Sequence, residues 1–280
     1  MRLALDDVPA QTAVNRSERQ GAQAKDGPMT RTAWRAATRL RSFGPKIWVA
    51  DGPTVPFFTF PYPTRMALVE LQNGGLFAWS PIALAPELKA EVEALGEPRY
   101  LVSPNLLHHL FLAEWKAAWP RARLFASPGL SRRHRDLAFD AELSDTPDPD
   151  WAADIDQVLV KGSVVMTEAV FFHRLSRTAM FADLIVNLPR DFAKGWRGIV
   201  AHLDGITEPN PGAPREWRAS FIDRKAARAS LERILGWGIE RVLIAHGAPA
   251  EREGDAFVRK AFAWLIGPEA TRPKGEGENA

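Results

Sequence analysis

Four short apolar runs in this chain each lead into a side chain that can ligate a metal. Tyr100-Leu101-Val102 passes through Ser103-Pro104-Asn105 to His108-His109. Ala169-Val170-Phe171-Phe172 ends at His173, and Ala179-Met180-Phe181-Ala182 ends at Asp183. Val242-Leu243-Ile244-Ala245 ends at His246-Gly247. Short apolar runs bounded by turn signals read as buried strands. In α/β layouts, ligand sites lie just beyond the carboxyl ends of strands. Of the six histidines, four follow such runs, so the pattern points to one site built from separate strand ends.

The rest of the composition narrows the chemistry. There is no cysteine, which excludes disulfides and thiolate-bound zinc. Any metal must be held by His, Asp, Glu or backbone oxygen. Lys plus Arg number 36 against 34 for Asp plus Glu, so the net charge is +2 and the pI near 9.0 reflects a small excess. Arg31 to Arg41 and Arg132-Arg133-His134-Arg135 read as solvated faces rather than the dense basic stripe of a nucleic-acid binder. No apolar run approaches the ~18 residues of a membrane span, and the N-terminus lacks the apolar core of a signal peptide. These features predict a cytoplasmic protein acting on a small molecule, without nucleic-acid or membrane partners. The ten tryptophans are scattered and read as core and rim aromatics.

Residues 1–28 are polar and aperiodic and predict a disordered extension, with Met29 a second candidate start. Residues 268–280 predict a polar tail, leaving one domain over 29–267. Within it, Ile47 to Ala50 reads as a strand. Met66 to Leu71 and Leu76 to Trp79 flank Asn73-Gly74-Gly75, a hairpin signal. Helices are expected over Pro86 to Leu95 and His108 to Trp119. Strands are expected at Leu124 to Ala126, Val158 to Val160, Ser163 to Thr167, Ala169 to His173 and Thr178 to Ile185. Asp204 to Pro214 reads as a long functional loop. Asp223 caps a helix with Ala227, Leu231, Ile234 and Leu235 on its buried face, and Asp255 to Leu265 forms the last helix. Two mixed sheets with helices outside accommodate this order.

Imidazole and carboxylate suit zinc, iron or manganese. His109, His173, Asp183 and His246, with His108 beside them, supply the candidate shell. Each has a plainer reading as well. His108 and His109 could cap a helix, His173 could be a core histidine, and His246-Gly247 could be a turn. Asp183 is hardest to dismiss, because a carboxylate inside Phe-Ala-Asp-Leu-Ile needs a partner.

From Ile47 to Leu265 these residues resemble the metallo-β-lactamase fold. That family carries Thr-His-x-His-x-Asp-His at a strand end, then a lone His, a metal-bridging Asp and a final His before Gly. Aligned from Ser103, Pro104 and Leu106 stand on the first two motif histidines. His108 falls on the motif Asp and His109 on the closing His. His173 matches the lone His, Asp183 the bridging Asp and His246-Gly247 the final pair. Trp79-Ser80 stands where the family usually has an Asp. The closest likeness is to an uncharacterised branch with Pro-Asn-x-x-His-His and a late Ala-His-Gly.

The resemblance implies a four-layer αβ/βα sandwich of two mixed sheets with helices outside. It implies at most one metal ion, zinc first, with iron or manganese as alternatives, held by His108, His109, His173, Asp183 and His246. His173 and Asp183 are the expected catalytic residues. The first functional reading is a hydrolase in which hydroxide on the metal attacks an ester, lactone, thioester or phosphoester. Arg174, Arg177, Arg218 and Arg224 are candidates for an anionic substrate group. The alternative is an inert relative with an empty site that binds or assembles through the 204–214 loop and Trp217-Arg218. An iron-dependent redox role is a third.

Overall fold

The computed structural model describes residues 39–57, 60–192 and 196–267. The expected N-terminal extension over 1–28 and the tail over 268–280 lie outside these residues. Among the described residues, strands are β1 (Arg41–Gly44), β2 (Ile47–Asp51), β3 (Val55–Phe57), β4 (Phe60–Tyr62), β5 (Arg65–Glu70), β6 (Leu76–Trp79) and β7 (Pro98–Val102). They continue with β8 (Arg123–Ala126), β9 (Ala141–Glu142), β10 (Ile155–Val160), β11 (Glu168–His173), β12 (Thr178–Asn187) and β13 (Arg241–Gly247). The helices are α1 (Pro86–Leu95), α2 (Leu112–Ala118), α3 (Leu130–Arg133), α4 (Trp196–Asp204), α5 (Arg215–Ser220), α6 (Arg224–Leu235), α7 (Gly254–Ala261) and α8 (Ala263–Ile266).

Two mixed sheets face each other. The first runs β1-β2-β5-β6-β7-β8-β9, antiparallel as far as β6 and parallel beyond it. The second runs β10-β11-β12-β13, a meander closed by a parallel strand. The alternating period of a strand sends every second side chain to one face. Val69, Phe77, Trp79 and Val102 of the first sheet therefore meet Ile155, Phe171, Met180 and Leu243 of the second in one buried cluster. Trp151 wedges edge-on against Phe77, Tyr100 and Phe125, with ring centroids 5.2, 5.5 and 4.7 Å away. The opposite face of the first sheet is covered by Leu88 and Val92 of α1 and Leu112 and Trp115 of α2. The opposite face of the second is covered by Ala227, Leu231 and Ile234 of α6, with Val258 of α7. This is the expected four-layer sandwich.

Several boundaries differ from the sequence reading. The helix expected from His108 begins at Leu112, because His108 and His109 occupy turns that aim their rings elsewhere. Ser163 to Thr167 contributes one bridge, Ser163 to Phe221, rather than a strand. The last helix breaks at Phe262 into α7 and α8. Helix α4 was not anticipated. Its apolar residues Trp196, Ile199 and Leu203 are 59, 62 and 58% exposed, whereas Ala201 packs inward with Val186 and Leu188. Among the described residues, no helix is long and apolar enough to cross a membrane.

Candidate metal centre

Helical and loop segments leave the sheets where β7, β12 and β13 approach one another. The loop after β7 is fixed by its own polar atoms. Ser103 Oγ donates to the Asn105 carbonyl at 2.8 Å, and Leu107 N–H donates to Asn105 Oδ1 at 2.9 Å. Ala169 N–H at the start of β11 donates to the Pro104 carbonyl at 2.8 Å, tying this loop to the second sheet. The turn so formed carries His108 inward.

Asp183 is presented differently. The parallel register of β12 with β13 slips between Phe181 and Val186, so β12 bulges around Asp183. A bulge breaks the ladder and re-aims side chains, a frequent device beside functional sites. Three backbone N–H groups are freed there, and Glu168 takes all three. Its Oε1 accepts from Ala182 at 2.8 Å, and its Oε2 accepts from Asp183 at 2.8 Å and Leu184 at 3.3 Å. Asn105 Nδ2 bridges the two carboxylates, 3.0 Å from Glu168 Oε2 and 2.7 Å from Asp183 Oδ2. Burial and the Asp183 charge push the Glu168 carboxyl up to about 7. Every partner of its oxygens is nevertheless a donor, so the bonding pattern is that of a carboxylate.

The third element is β13. Its last residue, Gly247, has φ near 101°, and a Cβ there would collide with the Asn187 carbonyl. Glycine thus lets β13 run close against β12 and brings His246 beside Asp183. His246 Nε2 lies 3.0 Å from Asp183 Oδ1, and His108 Nε2 lies 3.0 Å from Asp183 Oδ2. The ligating atoms of His108, Asp183 and His246 all fall within 4.8 Å of one another. Two ligands at 2.0–2.2 Å from a tetrahedral ion stand about 3.4 Å apart, so these three need move little to close on a metal.

Each imidazole is oriented by its other nitrogen. His246 Nδ1 donates to the Pro63 carbonyl at 2.6 Å, and His108 Nδ1 lies 2.6 Å from Ser80 Oγ. Such partners on the far nitrogen are what fix a ligating histidine's tautomer. Burial disfavours an ionised Asp183, but the charges and hydrogen bonds of His108 and His246 overcome it and hold the carboxyl far below its usual range. Burial likewise opposes a charged His246, but the bonds to Asp183 and Pro63 outweigh it and raise its pKa.

The structure brings His108, Asp183 and His246 together, and places the other two expected ligands apart from them. His173 closes β11 opposite Thr178, five residues along the strand from Glu168. At ~3.3 Å per residue that is about 16 Å from the end holding Asp183. Its Nδ1 bonds Ser176 Oγ at 2.8 Å, and burial lowers its pKa to about 4. The expectation of a catalytic, metal-binding His173 is therefore corrected: the run Ala169 to Phe172 ends at the wrong edge of the sheet. His109 donates from Nδ1 to the Leu106 carbonyl at 2.9 Å and packs tilted against His134, centroids 3.8 Å apart. Burial and His134 lower it to about 4. It lines the cavity without joining the three-residue group.

Three of the four candidate arginines are committed elsewhere, and Arg224 is exposed at the start of α6. Arg174 pairs with Asp156, and Arg177 with Glu240. Arg218 donates to the Ala213 and Gly205 carbonyls, holding the 204–214 loop to its own helix. Asn105, considered above as part of the loop, spends its amide on two carboxylates. Glu168 was missed in the sequence. Its signal was a charged residue heading an apolar run rather than ending one.

The family model for "Domain of unknown function (DUF4336)" matches residues 46–197. The chain belongs to the DUF4336 family. No curated protein matches this DUF4336 chain in sequence. Solved structures do match its fold. The metallo-beta-lactamase from Pontibacter korlensis aligns with a TM-score of 0.56 at 9% identity, over 82% of this chain and 99% of that one. FIM-1 from Pseudomonas aeruginosa, in its mono-zinc form, aligns at 0.54 and 11% identity, over 84% and 96%. The Flv1 flavodiiron core from Synechocystis aligns at 0.53 and 11%, over 81% and 60%. This DUF4336 chain thus has the metallo-β-lactamase fold.

Proposed function

We propose that this protein is a hydrolase that works with one divalent ion held by His108, Asp183 and His246. The observation that carries this reading is the bonding of His246. Its Nδ1 faces a carbonyl and its Nε2 faces a carboxylate, both of which only accept. Such a ring must either carry two protons or share Nε2 with a cation. The donor set, two imidazoles and a carboxylate, fits zinc first and iron or manganese after it. Ion coordination there supplies a Lewis acid and a water that ionises near neutral pH.

The chain's own residues do the remaining work. Ser80 and Pro63 hold the two rings, and Asn105 and Glu168 hold the Asp183 carboxylate. His109 has its Nδ1–H committed to Leu106, which leaves Nε2 as the nitrogen able to take a proton at the cavity wall. Pro104 and Leu106 stand where further ligands would be needed for a second ion, which supports a mononuclear centre.

The test is the metal content of protein purified without chelator, for wild type and Asp183→Ala. Near-stoichiometric zinc, iron or manganese that is lost in the variant supports the hydrolase. A metal-free wild type that also fails to take up added zinc would favour the inert binding or assembly role instead.

A further inference from the structure

We propose that the cavity beside the His108–Asp183–His246 cluster selects uncharged acyl compounds with an apolar side chain. Esters, thioesters and lactones fit this description, and phosphoesters and carboxylate-bearing substrates do not. The proposal rests on the hydrolase reading and names its substrate class.

The cavity holds about 110 Å³ and opens onto the cluster. Val55, Leu107, Leu110, Phe111, Val186 and Trp217 give it an apolar wall. Among the described residues, no lysine or arginine lines it. Its carboxylates are Asp183 and Glu216. Outside the ion-binding cluster, an anionic group entering here would meet the Glu216 carboxylate and no lysine or arginine, while losing water to an apolar wall. Recognition of phosphate or carboxylate ordinarily relies on Arg or Lys aimed at the oxygens, and the nearby arginine, Arg218, is turned away onto backbone carbonyls. An uncharged acyl group meets none of these costs. Its carbonyl can face the cluster while its side chain lies against Phe111 and Trp217.

The reaction balances with water alone. A water oxygen bonds to the acyl carbon, and the C–O or C–S bond to the leaving group breaks. The water proton goes to the departing alcohol or thiol. No redox partner takes part.

Two measurements test the proposal on the full chain. With zinc-loaded protein, kcat/KM for p-nitrophenyl esters should rise about tenfold or more from acetate to hexanoate, with bis(p-nitrophenyl) phosphate left intact. Trp217→Ala should flatten the series. A flat wild-type series, or faster turnover of the phosphate diester by zinc-bound protein, overturns the substrate class while leaving the metal reading standing. With chelator-treated protein, 4-phenylbutanamide should bind about tenfold tighter than 4-phenylbutanoate by ligand-observed NMR. Equal or tighter binding of the carboxylate overturns the proposal even if zinc never binds. Zinc content of the same preparation reports the hydrolase reading separately.

Discussion

His246 is gripped from both sides, Nδ1 2.6 Å from the Pro63 carbonyl and Nε2 3.0 Å from Asp183 Oδ1. In the metal-free protein this favours the imidazolium, and the histidine's pKa is raised although burial opposes it. A raised histidine stabilises the fold below its unfolded value of ~6.5, and that contribution fades as pH climbs through the folded value. Zinc competes with the proton on Nε2. Zinc affinity should therefore increase with pH until the raised folded value is passed. Calorimetric titrations in buffers of different ionisation enthalpy should record proton release on binding. An affinity that does not change over this window would contradict the assignment of Nε2.

Ser80 stands at φ near 50° at the end of β6, with its hydroxyl 2.6 Å from His108 Nδ1. Removing that hydroxyl in Ser80→Ala frees the ring to rotate. Partners of this kind typically contribute 10–100-fold to metal affinity. Competition with a chelator of known affinity should show a loss of about that size, with the unfolding midpoint of the metal-free protein little changed.

Glu168→Gln keeps the shape of the side chain and alters its bonding. One oxygen becomes an NH2 group that must face backbone N–H donors around Asp183. A buried donor left without an acceptor costs about 1–3 kcal/mol. Oε1 accepts from one donor and Oε2 from three, so at least one donor is orphaned and urea unfolding should report a loss of about 1–3 kcal/mol or more. Zinc affinity should fall as well, because the bulge that aims Asp183 is no longer held. Unchanged stability would mean that the bulge is supported by other contacts.

His173 is buried and neutral, with its pKa lowered to about 4 from an ordinary 6.5. A histidine depressed in the fold contributes stability that is present above ~6.5 and is lost as pH falls through the folded value. Wild type should lose stability between pH 6.5 and 4. The share from His173 should be at most about 3 kcal/mol. The pH dependence of His173→Gln should be shallower by that share when the two unfolding curves are compared. Parallel curves would assign the acid sensitivity to other groups such as His109.

The sandwich was legible because its strands are strongly apolar and its turns carry Gly and Asn, as at Asn73-Gly74-Gly75. Asp183 and His246 were legible because each stands at the end of an apolar run, where an unpaired polar group is costly. His173 satisfies the same pattern and lies at the opposite edge. A run of buried residues reveals that a strand exists, but strand direction in the sheet decides which end meets the site. Antiparallel β11 carries its functional group, Glu168, at the start. His108 and His109 are adjacent in sequence, yet the turn that Asn105 shapes sends one ring to Asp183 and the other to His134. Helix α4 escaped notice because Trp196, Ile199 and Leu203 face outward, reversing the usual sense of an apolar stripe.

The carbonyl that orients His246 belongs to the residue directly after β4. The β3–β4 hairpin ends at Tyr62, whose ring stands edge-on to His246 with centroids 5.3 Å apart. Val55, Pro56 and Tyr62 of the same hairpin form one wall of the cavity. Arg65, just beyond, donates to the Ile244 and Gly247 carbonyls at 2.9 and 2.6 Å. On the proposed reading, one ring sits at the junction of two jobs, holding an ion and pinning a wall. Thermodynamic linkage makes such an arrangement reciprocal. An ion that tightens His246 also tightens the hairpin, and a ligand that presses on the hairpin strengthens the hold on the ion. The cavity wall and the candidate metal centre would therefore respond to occupancy as a single part.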